Sequence, residues 1–210
     1  MAQLIRDLDA RRVADNLARA REALGRDDVQ ILAAVKYLAA EELTTLAEAG
    51  ITVVGENRAQ ELEVKAAAHP ELTWDFIGQL QSRKVKQILP RVRWIHSVAS
   101  DSALKELGKH GNAETEVLVE VNVAREEGKS GVVPDDLEAF IERCPVTVVG
   151  LMTMPPLAQR PEDSRRWFAA LAQLASDRGL RELSMGTSQD YAVAAQEGAT
   201  IVRLGTILYT

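Results

Sequence analysis

The chain has 210 residues, 46% hydrophobic and 27% charged, a make-up that fits one globular core and excludes a fibre or a disordered tail. Its 25 basic residues are outnumbered by 31 acidic ones, and the net charge of −6 argues against a nucleic-acid-binding surface. No apolar run approaches a membrane span, and the lone cysteine, Cys144, excludes an internal disulfide.

The charged N-terminal stretch lacks the apolar centre of a signal peptide, so a cytoplasmic protein is expected. Residues 1–27 are predicted to form an extra helix outside the main fold. Short apolar, β-branched runs then alternate with helical patterns. Strands are predicted at 29–36, 52–55, 73–78, 92–97, 115–122, 146–152, 182–186 and 200–205. Helices are predicted at 40–49, 57–68, 101–110, 134–143 and 163–178, the last with Phe168, Leu171, Leu174 and Ala175 on one face. Pro134 before Asp135 and Asp136 marks a helix start; Gly50, Gly111, Gly179 and Gly198 mark helix stops. This alternation predicts an α/β fold, a single-domain (β/α)8 TIM barrel covering 1–210, near the lower length limit for that fold. An open doubly wound sheet is the alternative, but no G-x-G-x-x-G follows the first strand.

Chemistry in such a barrel gathers where the strands end and the following loops meet. The first strand, "ILAAVK", ends in Lys36. An ammonium group there is either a stem reaching for water or an amine kept neutral by burial. The second strand leads into Glu56, Asn57 and Arg58; the fourth ends in His96 and Ser97, the fifth in Asn122, the sixth in Met152 and Thr153. After the last two strands, "SMGTSQD" and "RLGT" offer glycines, hydroxyls and a helix start, which together make an anion cradle. Closure of the barrel sets strand 8 beside strand 1. A phosphorylated aldehyde held in that cradle would have its carbonyl near Lys36, where a neutral amine forms an imine. The pairing of cradle and lysine favours a desolvated Lys36.

These residues belong to an ordered set of motifs: "AAVK" (33–36), "VGENRAQE" (54–61), "FIGQLQSRKVKQ" (76–87), "IHSV" (95–98), "VNVAREEGKSG" (121–131), "GLMTM" (150–154), "LSMGTSQDY" (183–191) and "VRLGT" (202–206). In them the chain resembles the pyridoxal-phosphate homeostasis protein family, single-domain relatives of the alanine racemase N-terminal barrel. The resemblance implies pyridoxal 5'-phosphate held as an internal aldimine on Lys36, with its phosphate on Ser188, Gly205 and Thr206. It further implies Arg203 at the pyridine nitrogen and Asn57 beside the ring. The implied role is intracellular cofactor homeostasis, with apo-enzymes as recipients, no nucleic-acid or membrane partner, and a monomeric chain. Three features depart from the family pattern: Tyr37 after the lysine, Thr187 before Ser188, and an end at Thr210 that is expected to weaken barrel closure.

An arginine facing the pyridine nitrogen keeps it unprotonated and makes the ring a poorer electron sink. Arg203 could otherwise pair with a carboxylate. His96 reads equally as a core histidine or a cofactor-side group, whereas His69 and His110, near helix ends, are expected to be exposed. Cys144, Met152 and Met154 read as packing residues, and the basic stretch 82–93 as a solvated helix face. No Cys/His/Asp/Glu grouping has ligand spacing, so no metal is expected. Lys129, in "REEGKSG", is either an exposed loop lysine or a second amine that displaces Lys36 from the cofactor during release. The alternative function is a pyridoxal-phosphate-dependent, racemase-like enzyme. Two-faced proton transfer needs an acid or base on each side of the substrate, and only Lys36 is evident. A class I aldolase fits the lysine and the cradle but not the other motifs. The expectation is a cofactor-holding protein without a substrate of its own.

Overall fold

The computed structural model describes residues 4–210. Eight parallel strands close into a barrel: β1 (Gln30–Ala34), β2 (Val53–Glu56), β3 (Thr73–Phe76), β4 (Trp94–Val98), β5 (Glu116–Glu120), β6 (Thr147–Met152), β7 (Glu182–Thr187) and β8 (Ile201–Leu204). A helix α1 (Ala10–Leu24) precedes them. One helix follows each strand: α2 (Leu43–Glu48), α3 (Ala59–Ala68), α4 (Val85–Ile88), α5 (Asp101–His110), α6 (Leu137–Glu142), α7 (Arg165–Ser176), α8 (Tyr191–Gln196) and α9 (Thr206–Tyr209). β8 pairs back onto β1 from Gln30↔Ile201 to Ala33↔Leu204, so the expected barrel is the fold and the open sheet is excluded.

Alternation along each strand divides the core into two. Ile31, Ala33 and Val35 pack outward against the helices, while Leu32 packs inward on Val53 and Ile201, flanked by Ile77 and Trp94. Burying a side chain such as Leu32 contributes roughly 1.5–3 kcal/mol. Gly55 makes the room: a Cβ there would stand 2.4 Å from Leu32 Cδ2 and 2.8 Å from Ile77 Cδ1.

The boundaries differ from expectation for local reasons. β1 stops at Ala34, because Leu38 N–H donates to the Val35 carbonyl (3.0 Å) and turns the chain at Lys36 and Tyr37. α1 is shorter than 1–27; Asp9 accepts from the Arg11 and Arg12 N–H groups at its start, and Gly25, at φ 63°, ends it. Residues 1–3 of that expectation lie outside the described residues. The C-terminal end does not loosen the barrel. Asn16 Nδ2, on α1, donates to the carbonyls of Leu208 and Thr210 at 3.1 Å each, and the Tyr209 hydroxyl donates to the Ala34 carbonyl at 3.1 Å.

His69 is buried rather than exposed, since its ring bridges the Ala40 carbonyl (2.9 Å) and the Glu71 carboxylate (3.0 Å). His110 is exposed as expected. The basic stretch 82–93 is not simply solvated. Val85 and Ile88 are buried, Arg91 pairs with Glu63 at 2.5 Å, and Arg93 turns inward to Asp75.

Candidate functional site

A cavity of about 720 Å³ opens at the C-terminal end of the barrel, within the size range of small-ligand sites. Lys36, Asn57, Lys129, Ser188, Arg203, Gly205 and Thr206 all line it, although the sequence scatters them over five of the eight strand–helix units.

Lys36 stands on the turn after β1, half-buried, with Nζ 4.6 Å from the centre of the Tyr37 ring. Among the described residues its ammonium has no hydrogen bond or ion pair. The expected enclosure by the apolar run is not met: the strand ends two residues earlier, which leaves the lysine on the cavity wall. Beneath it Lys65, on α3, is fully buried and donates to the Val35 carbonyl (2.9 Å) and to Glu56 Oε2 (2.7 Å). Glu56 Oε1 accepts the Asn57 and Arg58 N–H groups at 2.7 and 3.2 Å. One buried ion pair therefore joins the backbones that carry Lys36 and Asn57. The Asn57 carbonyl also passes so close to Gly78 that a Cβ there would lie 2.1 Å from it. Asn57 Oδ1 is buried without a partner among the described residues, an acceptor in need of a donor.

Arg203 projects from β8, buried at 6% exposure. Four of its donor contacts are internal: Nη1 to the Ser184 carbonyl (2.7 Å) and Oγ (2.6 Å), and Nη2 to the Thr153 carbonyl (2.9 Å) and Met154 Sδ (2.9 Å). Nε–H has no partner among the described residues. Burial pulls the guanidinium down from 12.5 to about 10, against the attraction of Glu120 and Asp190, so it stays cationic near neutrality. The carboxylate pairing considered for it is absent among the described residues. Its wall contacts are to carbonyl, hydroxyl and sulfur.

Between the loops after β7 and β8, Ser188 Oγ accepts the Gly205 N–H at 3.4 Å, a long contact. A Cβ on Gly205 would meet nothing closer than Ala34 Cβ at 4.0 Å. Of the neighbouring hydroxyls of Thr187 and Ser188, that of Thr187 is engaged within its own turn. Thr187 donates both its N–H (2.8 Å) and its hydroxyl (3.2 Å) to Asp190 Oδ1, which closes the turn. Gly186 serves packing rather than the cradle: it sits at φ 91°, and a Cβ would stand 2.6 Å from Ala194 Cβ.

Lys129 pairs with Glu126 on a loop that Asn122 shapes by donating to the Glu126 carbonyl (2.9 Å) and accepting its N–H (3.0 Å). The Lys129 side chain is 32% exposed, and it lines the cavity wall. Met154 is 45% exposed at the cavity, not packed in the barrel, and Met152 reaches the same cavity. His96 is fully buried and absent from the wall.

Glu120 is the residue that sequence reasoning missed. It ends β5, diametrically across the barrel from β1, and lines the cavity. Burial pushes its carboxyl above the usual range, opposed by a hydrogen bond from Ser130 (3.1 Å) and by the charges of Arg203 and Lys129. Ile77 and Met152 are cavity residues of the same kind, and Ile77, Glu120 and Met152 sit at inward-facing positions near strand ends. Strand parity accounts for all three: Glu120 and Met152 end β5 and β6, and Ile77 lies two residues beyond Asp75 of β3. Tyr209 offers no such signal, since it reaches the cavity from α9.

The chain matches the family described as "Alanine racemase, N-terminal domain" over residues 8–210. It is 40% identical over 215 residues to the pyridoxal phosphate homeostasis protein of Aquifex aeolicus, covering 94% of each chain. The chain belongs to the pyridoxal phosphate homeostasis protein family. Its fold is similar to that of PipY, a family member from Synechococcus elongatus PCC7942 solved without pyridoxal phosphate, with TM-score 0.83 and 33% identity over 94% of this chain and 100% of PipY. The structure described with the cofactor bound to PipY gives TM-score 0.80 and 31% identity over the same shares. Among the described residues of this family member, no group of three or more His, Cys, Asp or Glu could hold a metal, and no helix is long and apolar enough to cross a membrane.

Proposed function

We propose that the chain is a pyridoxal 5'-phosphate-binding protein that holds the cofactor on Lys36 and yields it for cofactor homeostasis. The observation that carries this is the convergence on one cavity of an unpaired lysine amine, a buried acceptor without a donor and a buried arginine with one donor left. The fit is chemical. Asn57 Oδ1 suits a hydroxyl donor, Arg203 Nε–H suits an unprotonated ring nitrogen, and Ser188, Gly205 and Thr206 suit a phosphate.

When bound, pyridoxal phosphate supplies an aldehyde carbon that condenses reversibly with an amine. Lys36 Nζ supplies that amine. Arg203, cationic near neutrality, keeps a ring nitrogen in its acceptor form and so discourages carbanion chemistry. Ser188 Oγ and the backbone at Gly205 and Thr206 anchor the phosphate end. Lys129 Nζ offers a second amine on the same wall, suited to relieving Lys36 of the cofactor during hand-over to an apo-enzyme. The protein acts as a monomer in the cytoplasm, without a substrate of its own.

One observation favours a second reading, a racemase-like enzyme: Glu120 provides a carboxyl across the barrel from Lys36.

Borohydride treatment of the protein with pyridoxal phosphate, followed by peptide mapping, should fix the cofactor on Lys36. An adduct on another lysine overturns the site. Turnover of L-alanine to its mirror form at about 1 per second or faster, lost in Glu120→Gln, would establish the enzyme reading instead.

A further inference from the structure

Behind Arg203 the barrel interior holds a continuous file of polar groups. Ser184 Oγ, which accepts from Arg203 Nη1 at 2.6 Å, lies 2.9 Å from His96 Nδ1. His96 Nε2 lies 3.2 Å from Asp75 Oδ2. Asp75 also accepts from Arg93 Nη2 (2.5 Å), Arg93 Nε (3.1 Å) and the Trp94 N–H (3.3 Å). Ser184, His96 and Asp75 are each at 0% exposure and none touches the cavity. Arg93 is partly exposed at the start of β4, where Nη2 donates to Gln30 Oε1 (2.8 Å) at the start of β1. The file thus runs from the N-terminal end of the barrel to the arginine at the opposite end.

Proton counting gives the file a direction. A guanidinium only donates, so Ser184 Oγ accepts from Arg203 and turns its own proton elsewhere. His96 Nδ1 is the acceptor within reach, which puts the ring proton on Nε2. That proton faces an Asp75 carboxylate, which only accepts. The charge states agree. Burial holds His96 below its usual range, hence neutral, although Asp75 pulls the other way. Burial opposes ionisation of Asp75, but the bonds from His96 and Arg93 outweigh it and keep the carboxyl ionised.

We infer that Ser184, His96 and Asp75 are positioning residues for Arg203, fixing its guanidinium so that Nε–H remains the donor offered to the ring nitrogen of the bound cofactor. The inference rests on the proposed cofactor function and extends it. The electronic state of the cofactor then depends on residues that never touch it. A polar core that merely packs would hold the same atoms without that dependence.

Substitutions at Ser184 separate the two. Ser184→Ala removes the hydroxyl with little change of volume, whereas Ser184→Thr keeps it and adds a methyl group to a full core. The visible absorption band and the dissociation constant of pyridoxal phosphate are measured on the full chain, with melting curves alongside. Ser184→Ala and Asp75→Asn are expected to displace the band and weaken binding about 3- to 10-fold, the effect of one hydrogen bond. Ser184→Thr is expected to keep the parent band. The inference is overturned if Ser184→Ala retains the parent band and affinity, or if Ser184→Thr is displaced as far as Ser184→Ala. Should Asp75→Asn fail to fold, the Ser184 pair decides alone. A parent protein with no visible band at all overturns the cofactor reading itself, before any variant is compared.

Discussion

Lys65 Nζ lies 2.7 Å from Glu56 Oε2, and neither side chain reaches solvent by more than 2%. The pair spans α3 and the end of β2, and its second bond, to the Val35 carbonyl, holds the residue just before Lys36. Removing one partner leaves the other as an uncompensated buried charge. Lys65→Met should therefore destabilise the fold by about 3–5 kcal/mol, read by denaturant unfolding. The double variant with Glu56→Gln should lose less than the sum of the two single changes. Strict additivity would show that the pair acts as two independent groups.

Ser188 and Gly205 test the phosphate anchor from two directions. Ser188→Ala should weaken pyridoxal phosphate binding by about 1.5–3 kcal/mol, the range for a bond to a charged group. Gly205→Ala places its Cβ at an ordinary 4.0 Å from Ala34 Cβ, so its melting temperature should follow the parent while affinity for the cofactor falls. Equilibrium dialysis with pyridoxal phosphate and, separately, pyridoxal tells whether the loss belongs to the phosphate. Equal losses for both ligands would remove these residues from the anchor.

Lys129→Ala should slow transfer of cofactor to an apo-enzyme while leaving the absorption of the loaded protein intact. The Glu126 partner makes a control available, because Glu126→Gln frees the amine from its ion pair and should leave transfer at the parent rate or faster. Identical transfer by Lys129→Ala and the parent would make the lysine a wall residue only.

His96 makes stability depend on pH. Buried and neutral in the fold, it resists a proton that the unfolded chain accepts near 6.5, so the unfolded state binds more protons below that value. Stability should fall as pH drops from 7 to 5, by up to about 1.4 kcal/mol per pH unit. His96→Gln should flatten the slope in that window, whatever it does to the absolute stability. Chemical unfolding at pH 7, 6 and 5 measures the slope directly, and parallel profiles would assign the loss to other groups.

Much of this architecture was legible in the chain because strand periodicity and strand-end chemistry are local signals. The eight strands, the lysine after β1 and the glycine- and hydroxyl-bearing stretches "SMGTSQD" and "RLGT" all follow from them, whereas Ser188, Gly205 and Thr206 as phosphate residues are what the family resemblance implies. What stayed hidden depends on contacts between distant segments. Nothing around Lys65 shows that it turns inward to Glu56 and Val35, since a lysine on a helix ordinarily faces water. Glu120 reads as one more charge until strand parity is counted from the barrel. Asp75, His96 and Ser184 are single polar letters on three strands, and only closure sets them in line. Thr187 shows the same limit: its hydroxyl suits a cradle by type, but Asp190 three residues on takes it.

The pairing of β8 with β1 also has a consequence for synthesis. Lys36 emerges from the ribosome well before Arg203, Gly205 and Thr206. Until β8 is made, β1 has no neighbour on one side, and no shorter nascent chain presents lysine and cradle together. Topologies that pair segments far apart in sequence fold slowly, because loop closure must precede the contacts that reward it. A ligand that engages both β1 and β8 should act as a clasp across the seam between them, slowing its reopening more than that of any other strand pair. Hydrogen exchange along β1 and β8, with and without pyridoxal phosphate, would make that seam visible.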